Sequence, residues 1–393
     1  MKKGFYTLLV AQFFSALADN ALLFAAIALL TELNAPDWHI PLLQQFFVIS
    51  YILLAPFVGS IADAFPKGDV MFFSNTVKVI GCLAMIMGVP PLYSYGIVGI
   101  GAAAYSPAKY GILTEMLPSQ FLVKANGWME GSTVTAIIVG AIIGGKLASY
   151  DPHFAMIIIT GLYAAAAFFN LFIPKMPIEI QLKSKSMSYM LKDFWHAFVT
   201  LWKDPLGQVS LAVTTLFWGA GATLRLVVLA WAALELKFDI EQSTQLIATV
   251  AIGIAVGSVI ASRYIKLEDS TKVLPAGIVM GLLVIMMVFI NDWRVAALLL
   301  FFIGALSGFF VVPLNALLQH RGHHLIGAGH SIAVQNFNEH IGILIMLGCY
   351  LLMVKANVSM SIIVIAFGMF IIITMSIINR VYRTKIATQP TSI

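Results

Sequence analysis

Twelve apolar runs, each long enough to cross a bilayer, dominate this 393-residue chain; they fall at about 5–31, 41–63, 70–90, 93–116, 124–148, 153–173, 206–234, 243–264, 272–290, 294–318, 329–353 and 357–379. A hydrocarbon core about 30 Å thick requires roughly 20 consecutive apolar residues per helix. The chain is 60% hydrophobic and 10% charged, whereas soluble domains carry about 25% charged residues. These observations predict an all-α integral membrane protein with twelve transmembrane helices. Six runs lie on each side of a longer polar stretch. The expected organisation is therefore a six-helix bundle over 1–173, a linker over 174–205, and a second six-helix bundle with a short tail over 206–393.

The distribution of lysine and arginine sets the orientation. With both termini cytoplasmic, the inside segments hold sixteen basic residues and the outside segments four, namely Lys146, Lys237, Arg294 and Lys355. The net charge of +5 is spread over short loops, with no basic stripe or stacking platform, which excludes a nucleic-acid partner. Cys82 and Cys349 lie far apart inside apolar runs and read as small hydrophobes rather than a disulfide framework. Lys2, Lys3 and Ala16-Leu17-Ala18 mimic a secretory signal, but the apolar run resumes at Ala21. Cleavage there would leave a stump too short to span, so an uncleaved first helix is expected. Lys175, Lys183, Lys185, Lys192 and Lys203 populate the linker, and Phe194, Trp195, Phe198 and Trp202 follow helical spacing. An amphipathic helix on the cytoplasmic leaflet is expected over Lys192 to Trp202, with a plain linker as the other reading.

Against this apolar background the polar residues stand out. Asp19 and Asn20 sit in the middle of the first run, and Arg225 sits in the corresponding run of the second half. An ionisable group at bilayer depth costs at least about 2.5–3.5 kcal/mol and survives only beside a partner or cavity. Gln12, Ser15 and Asp19 form one helical stripe, and Trp218, Gly221 and Arg225 form another. Two readings are open: a fixed ion pair between the halves, or a site for a substrate carrying both charges. In the fourth run Tyr105 and Lys109 project together, and Pro107 is expected to break the helix. Lys109 could pair with Glu130 or Glu115, or contact substrate. Lys78 is expected to snorkel toward the inner surface. Gln335, Glu339 and His340 lie in the eleventh run; the Glu339–His340 neighbours read either as a proton relay or as a polar cavity wall. His320, His323, His324 and His330 flank the preceding loop and read as a solvated basic segment. Metal binding is not expected there, since no carboxylate or cysteine accompanies them in sequence. No cofactor is expected.

Two short motifs concern helix packing and gating. Gly59-Ser-Ile-Ala-Asp63-Ala-Phe-Pro-Lys67-Gly68 resembles the major facilitator loop signature G-x-x-x-D-R-x-G-R, with Ala64 for the arginine and Pro66 for the second glycine. Gly59, Asp63, Lys67 and the acidic Glu130 are the expected gating residues, in a latch wired differently from the usual one. Gly140-Ala-Ile-Ile-Gly144-Gly145 is similar to the antiporter signature G-P-x-x-G-G, but small residues at this spacing also serve close helix packing, the preferred reading. Gly59-Ser60 and Gly257-Ser258 echo each other across the halves, as expected of two six-helix repeats.

Longer blocks carry a more specific resemblance. Asp19-Asn-Ala-Leu-Leu-Phe24, Ala104-Tyr-Ser-Pro-Ala-Lys-Tyr-Gly-Ile-Leu113, Lys124-Ala-Asn-Gly127, Phe217-Trp-Gly-Ala-Gly221 through Arg225, Gly308 through Gln319 and Gly327 through Asn336 are similar to the bacterial lysophospholipid transporter family of the major facilitator superfamily. The resemblance covers essentially the whole chain. It implies the major facilitator fold, an inner-membrane location, and a flippase moving lysophosphatidylethanolamine and lysophosphatidylglycerol from the outer to the cytoplasmic leaflet by alternating access. It further implies reacylation of the cargo by an acyltransferase–acyl-carrier synthetase, and a head-group site containing Asp19, Asn20, Lys109 and Arg225. Tyr105, Trp218, Gln335, Glu339 and His340 are added to that site from their positions. A phosphodiester suits Arg225 or Lys109, and an ethanolamine ammonium suits Asp19. A proton-coupled exporter of amphipathic drugs is the alternative, and an intramembrane lipid enzyme lacks a supported nucleophile.

Overall fold

The computed structural model describes residues 3–35, 39–178, 186–238 and 240–388. Lys183 and Lys185 of the expected basic linker lie outside these residues. Thirteen α-helices and no strand occur among the described residues: α1 (Lys3–Glu32), α2 (His39–Ala64), α3 (Lys67–Ile86), α4 (Pro91–Met116), α5 (Leu122–Tyr150), α6 (Pro152–Asn170), α7 (Met187–Lys203), α8 (Pro205–Glu235), α9 (Ile240–Tyr264), α10 (Leu274–Met286), α11 (Trp293–Ile326), α12 (Ala328–Lys355) and α13 (Met360–Thr388). Among the described residues, eleven helical segments are long and apolar enough to cross a membrane. α4 has the length, at 26 residues, but Ser106, Lys109 and Glu115 dilute its apolar character. α7, with 17 residues, is the helix of the polar linker and begins five residues before the expected one.

Local chemistry explains the helix boundaries. Asp151 caps α6 by accepting from the His153 and Phe154 amides, and Pro152 fills the first helical position, where a missing amide costs nothing. Asp204 caps α8 through the Gly207 amide and also binds Arg321 at 2.8 Å. Gly327, at φ 99°, is the single residue between α11 and α12, and its amide returns to the Gly322 carbonyl. A left-handed residue at this point is a glycine position, and it ends α11 within one residue of the start of α12. The break expected at Pro107 is absent: α4 continues through it, as α11 continues through Pro313. Membrane helices tolerate proline because neighbouring helices and hydroxyl side chains satisfy the freed backbone groups.

The chain forms two compact units. The first comprises Met1–Pro118, Thr135–Thr200 and Gly322–Phe337; the second comprises Ser119–Val134, Leu201–Arg321 and Asn338–Ile393. The opening of α5 thus falls in the second unit and the start of α12 in the first. In the first unit α1 packs on α6, and α3 packs on both α4 and α6. Ala18, Ala21, Leu22, Cys82, Met85, Val98, Ile159 and Tyr163 fill its core. In the second unit α10 packs against α13, and α8 against α9 and α13. Large apolar side chains such as Leu53, Phe73, Leu298 and Leu352 are exposed, as a surface facing lipid requires.

Candidate functional site

Within the first unit, α1, α3, α4 and α6 bring together a polar cluster whose members come from four separate stretches of sequence. The Lys78 ammonium donates to both Asp19 carboxylate oxygens at 2.9 Å and to Ser15 Oγ at 3.0 Å. Ser15 in turn donates to Asn75 Oδ1 at 2.8 Å. The Tyr163 hydroxyl donates to Asp19 Oδ1 at 2.7 Å. The rings of Tyr105 and Tyr163 lie 5.0 and 5.3 Å from the Lys78 ammonium, within cation–π range. Lys78 is only 1% exposed, whereas the Asp19 side chain is 25% exposed. The carboxylate is thus held from behind and open in front.

Glycines make this geometry accessible. A Cβ at Gly101 of α4 would lie 2.6 Å from the Ser74 carbonyl and 2.7 Å from Lys78 Cγ, so only glycine lets α4 close over the lysine stem. A Cβ at Gly144 of α5 would lie 2.6 Å from Ala21 Cα, and one at Gly140 would lie 2.8 Å from the Leu17 carbonyl. The small residues resembling an antiporter motif therefore seat α1, and with it Asp19, against α5. Asn20 turns back to the Ala16 carbonyl of its own helix.

Lys78 corrects the sequence reading. It does not snorkel to a surface; a carboxylate within reach in a low-dielectric core outweighs the longer path to water. Tyr105 is buried with its ring beside Lys78, and Lys109 is half-buried with its ammonium 4.2 Å from the Tyr110 ring.

A second charged cluster of the first unit lies where the α2–α3 loop meets the start of α12. Asp63 accepts from the backbone amides of Gly329 and His330 at 2.6 and 3.0 Å, capping the first turn of α12. The His330 ring places Nδ1 2.7 Å from Asp63 Oδ2 and Nε2 2.9 Å from Asp193 Oδ2 of α7, with Ser60 Oγ at 3.1 Å. Lys67 bonds Asp63 at 3.3 Å and also binds Glu115. A Cβ at Gly59 would lie 3.0 Å from His330 Cα, which accounts for the glycine of the motif. Two expectations change. Glu115, a possible partner of Lys109, is engaged by Lys67. His330 is buried between two carboxylates rather than solvated, because its position at the head of α12 brings it to Asp63.

In the second unit, α8 presents a half-buried Trp218 with Gly221 and Arg225 exposed, and open space surrounds the missing Gly221 side chain. Gly219, on another face, seats α8 against Gly342 and Met346 of α12. Asn126 and Gln319 exchange two amide hydrogen bonds at 2.8 Å, a pairing across 193 residues with no signal in sequence. Glu130 and Glu339 are buried, His340 is half-buried, and Trp202 donates to Asn338. In the first-unit part of α12, Gln335 is buried and Asn336 donates to Ser106 of α4 at 2.9 Å. Among the described residues no group of three or more histidine, cysteine or acidic side chains could hold a metal ion.

Comparison with known proteins gives this arrangement a context. Residues 8–346 match the family model described as Major Facilitator Superfamily. The lysophospholipid transporter LplT of Salmonella arizonae is 48% identical over 367 residues, covering 93% of this chain and 92% of the relative. The chain belongs to the lysophospholipid transporter family of the major facilitator superfamily. The LplT of Yersinia pestis (strain Pestoides F) is likewise 48% identical, over 90% of this chain and 88% of its own. Solved structures agree on the fold. A bacterial homologue of the iron transporter ferroportin in its outward-facing state superposes with a TM-score of 0.77 at 14% identity, covering 99% of this chain and 100% of that one. The human organic anion transporter MFSD10 gives 0.72 at 14% identity, covering 98% and 99%. The family is thus a multi-pass membrane transporter family, as its apolar helices require.

The residues that sequence reasoning underweighted are Lys78, Asn75, Tyr163, His330 and Asp193. Asn75 and Lys78 share a face of α3 by their i, i+3 spacing, so α3 carries a polar stripe matching that of α1. That signal was available. Tyr163 and Asp193 have no such mark, since an isolated tyrosine in an apolar helix and an aspartate in a linker are unremarkable in sequence.

Proposed function

We propose that this protein carries lysophospholipids across the bacterial inner membrane by alternating access, with both termini cytoplasmic. The cargo we assign is lysophosphatidylethanolamine and lysophosphatidylglycerol, moved from the outer to the cytoplasmic leaflet and left chemically unchanged. Reacylation by an acyltransferase–acyl-carrier synthetase would follow as a separate step. The support for the cargo is the naming of relatives 48% identical over nine-tenths of the chain.

The observation that carries the site assignment is the Asp19 carboxylate, fixed by Lys78 and Tyr163 and a quarter exposed within a transmembrane helix. A pre-positioned carboxylate in a low-dielectric setting suits a primary ammonium, which can donate to the lone pairs left open. Arg225 is assigned separately to a phosphate, for which its fork of donors is matched. Lys109, Asn20, Trp218, Gln335, Glu339 and His340 remain proposed contacts, and Gly59, Asp63, Lys67 and Glu130 proposed gating residues. The close approach of α1 at Gly140 and Gly144 supports the packing reading of that motif, which favours a lipid carrier over a drug exporter.

Purified protein in liposomes, given labelled lysophosphatidylethanolamine, tests this directly. Wild type should move the lipid without altering it. Asp19→Ala and Arg225→Ala should each lower the initial rate by about tenfold or more, the scale of one charge-assisted contact of about 1.5–3 kcal/mol. Wild-type rates in both variants would remove the site assignment, and no lysolipid movement by wild type would remove the function.

A further inference from the structure

We propose that Lys78 sets the charge which Asp19 presents to a head group, and thereby the balance between zwitterionic and anionic lysophospholipids. The proposal rests on the reading of Asp19 as a head-group carboxylate and extends it to a residue that never meets the substrate. Lys78 is 1% exposed. Its three ammonium hydrogens have three acceptors: Ser15 Oγ at 3.0 Å and the two Asp19 oxygens at 2.9 Å. Its stem is enclosed where Gly101 admits α4, and its charged end faces the Tyr105 and Tyr163 rings. Lys78 is therefore a positioning residue with no donor to offer a ligand.

The consequence is electrostatic. The carboxylate and ammonium together carry no net charge, so the open side of Asp19 presents a local acceptor without a long-range negative field. A head-group ammonium can still bind the free lone pairs at contact distance. A head group whose only charge is its phosphate is not repelled from a distance, because the buried ammonium cancels the carboxylate beyond a few ångströms. Without Lys78 the same carboxylate would act as an uncompensated charge in a medium of low effective dielectric, where unit charges still interact strongly over several ångströms. Of the neighbours that complete the cluster, Ser15, Asn75, Tyr105 and Tyr163 are neutral groups, so the cancellation depends on Lys78.

The readout is the ratio of lysophosphatidylethanolamine to lysophosphatidylglycerol uptake by full-length protein in liposomes at pH 8, measured as initial rates. Lys78→Met keeps the stem and removes the charge; the ratio should rise by about fivefold or more as the anionic lipid is repelled. Asp19→Asn leaves the ammonium uncompensated; the ratio should fall, and lysophosphatidylglycerol uptake should exceed that of wild type. Lys78→Arg retains the charge and should hold the wild-type ratio. An unchanged or lowered ratio in active Lys78→Met overturns the proposal. If Lys78→Met cannot be recovered folded, Asp19→Asn decides, because a merely lost ammonium contact would lower the zwitterionic lipid alone and leave the anionic one unchanged. Failure of the underlying reading looks different: Asp19→Asn would then transport both lipids at wild-type rates.

Discussion

Asp19–Lys78 and Asp63–Lys67 are both carboxylate–ammonium pairs inside the first unit, and they differ in what else each carboxylate touches. Asp63 is saturated. It accepts from two backbone amides of α12, the His330 ring and Lys67, and its side chain is only 4% exposed. Among the described residues Asp19 accepts from Lys78 and Tyr163, and its side chain keeps a quarter of its surface open. A buried carboxylate with every lone pair engaged acts as a fastener, since releasing any partner leaves a charge unpaired in low dielectric. One with free lone pairs toward an opening can receive a donor from outside. On the proposed reading of Asp19, residue type does not separate a structural charge from a ligand-binding one; the count of satisfied acceptor positions does.

The most demanding way to break this comparison is Asp63→Ala. It takes one of two carboxylates from both Lys67 and His330, leaving Glu115 and Asp193, and it uncaps α12; it should destabilise the protein by about 3 kcal/mol in detergent unfolding measurements. Asp19→Asn also leaves a buried ammonium, that of Lys78, without its carboxylate, but it keeps an amide oxygen for that ammonium and uncaps no helix. A smaller loss is therefore expected, and equal losses in the two variants would erase the distinction between fastener and site. Next in size is Gly144→Leu, which forces a side chain into the Ala21 backbone. Overpacking of this kind should cost about 1–3 kcal/mol and, by displacing α1, reduce lysophosphatidylethanolamine uptake as well. Normal stability and uptake would show that α1 is not seated through Gly144. The smallest effect is expected from His330→Gln, whose amide can keep one of the two carboxylate contacts. A loss of about 1–2 kcal/mol in the same unfolding assay is the expected outcome. A loss as large as that of Asp63→Ala would make His330, rather than Asp63, the hub of the cluster.

Much of the architecture was legible without coordinates. Apolar run length placed the helices, the linker composition located α7, and Gly140 with Gly144 announced a close helix contact. The polar stripe of Gln12, Ser15 and Asp19 was also visible, because helical spacing is a property of neighbouring residues. Less legible was what each stripe faces. Lys78 reads as a surface-seeking lysine until α3 is rotated against α1, and His330 reads as a loop histidine until Gly327 turns α12 back toward Asp63. Pro107 carried a local signal that tertiary packing overrode, since the helix continues through it.

The chain by itself determined that it crosses a membrane many times as helices. Backbone groups in hydrocarbon must be satisfied within their own segment, and that requirement is written in local hydropathy. The pairing of charges was decided by the tertiary structure. Lys78 reaches Asp19 across 59 residues, and His330 reaches Asp63 across 267. Such pairs depend on helix rotation and register, which are set by glycine contacts such as those of Gly101, Gly144 and Gly59. Whether a buried aspartate is closed off or left open for a ligand follows from that packing, because only the packed helices fix how many donors reach it.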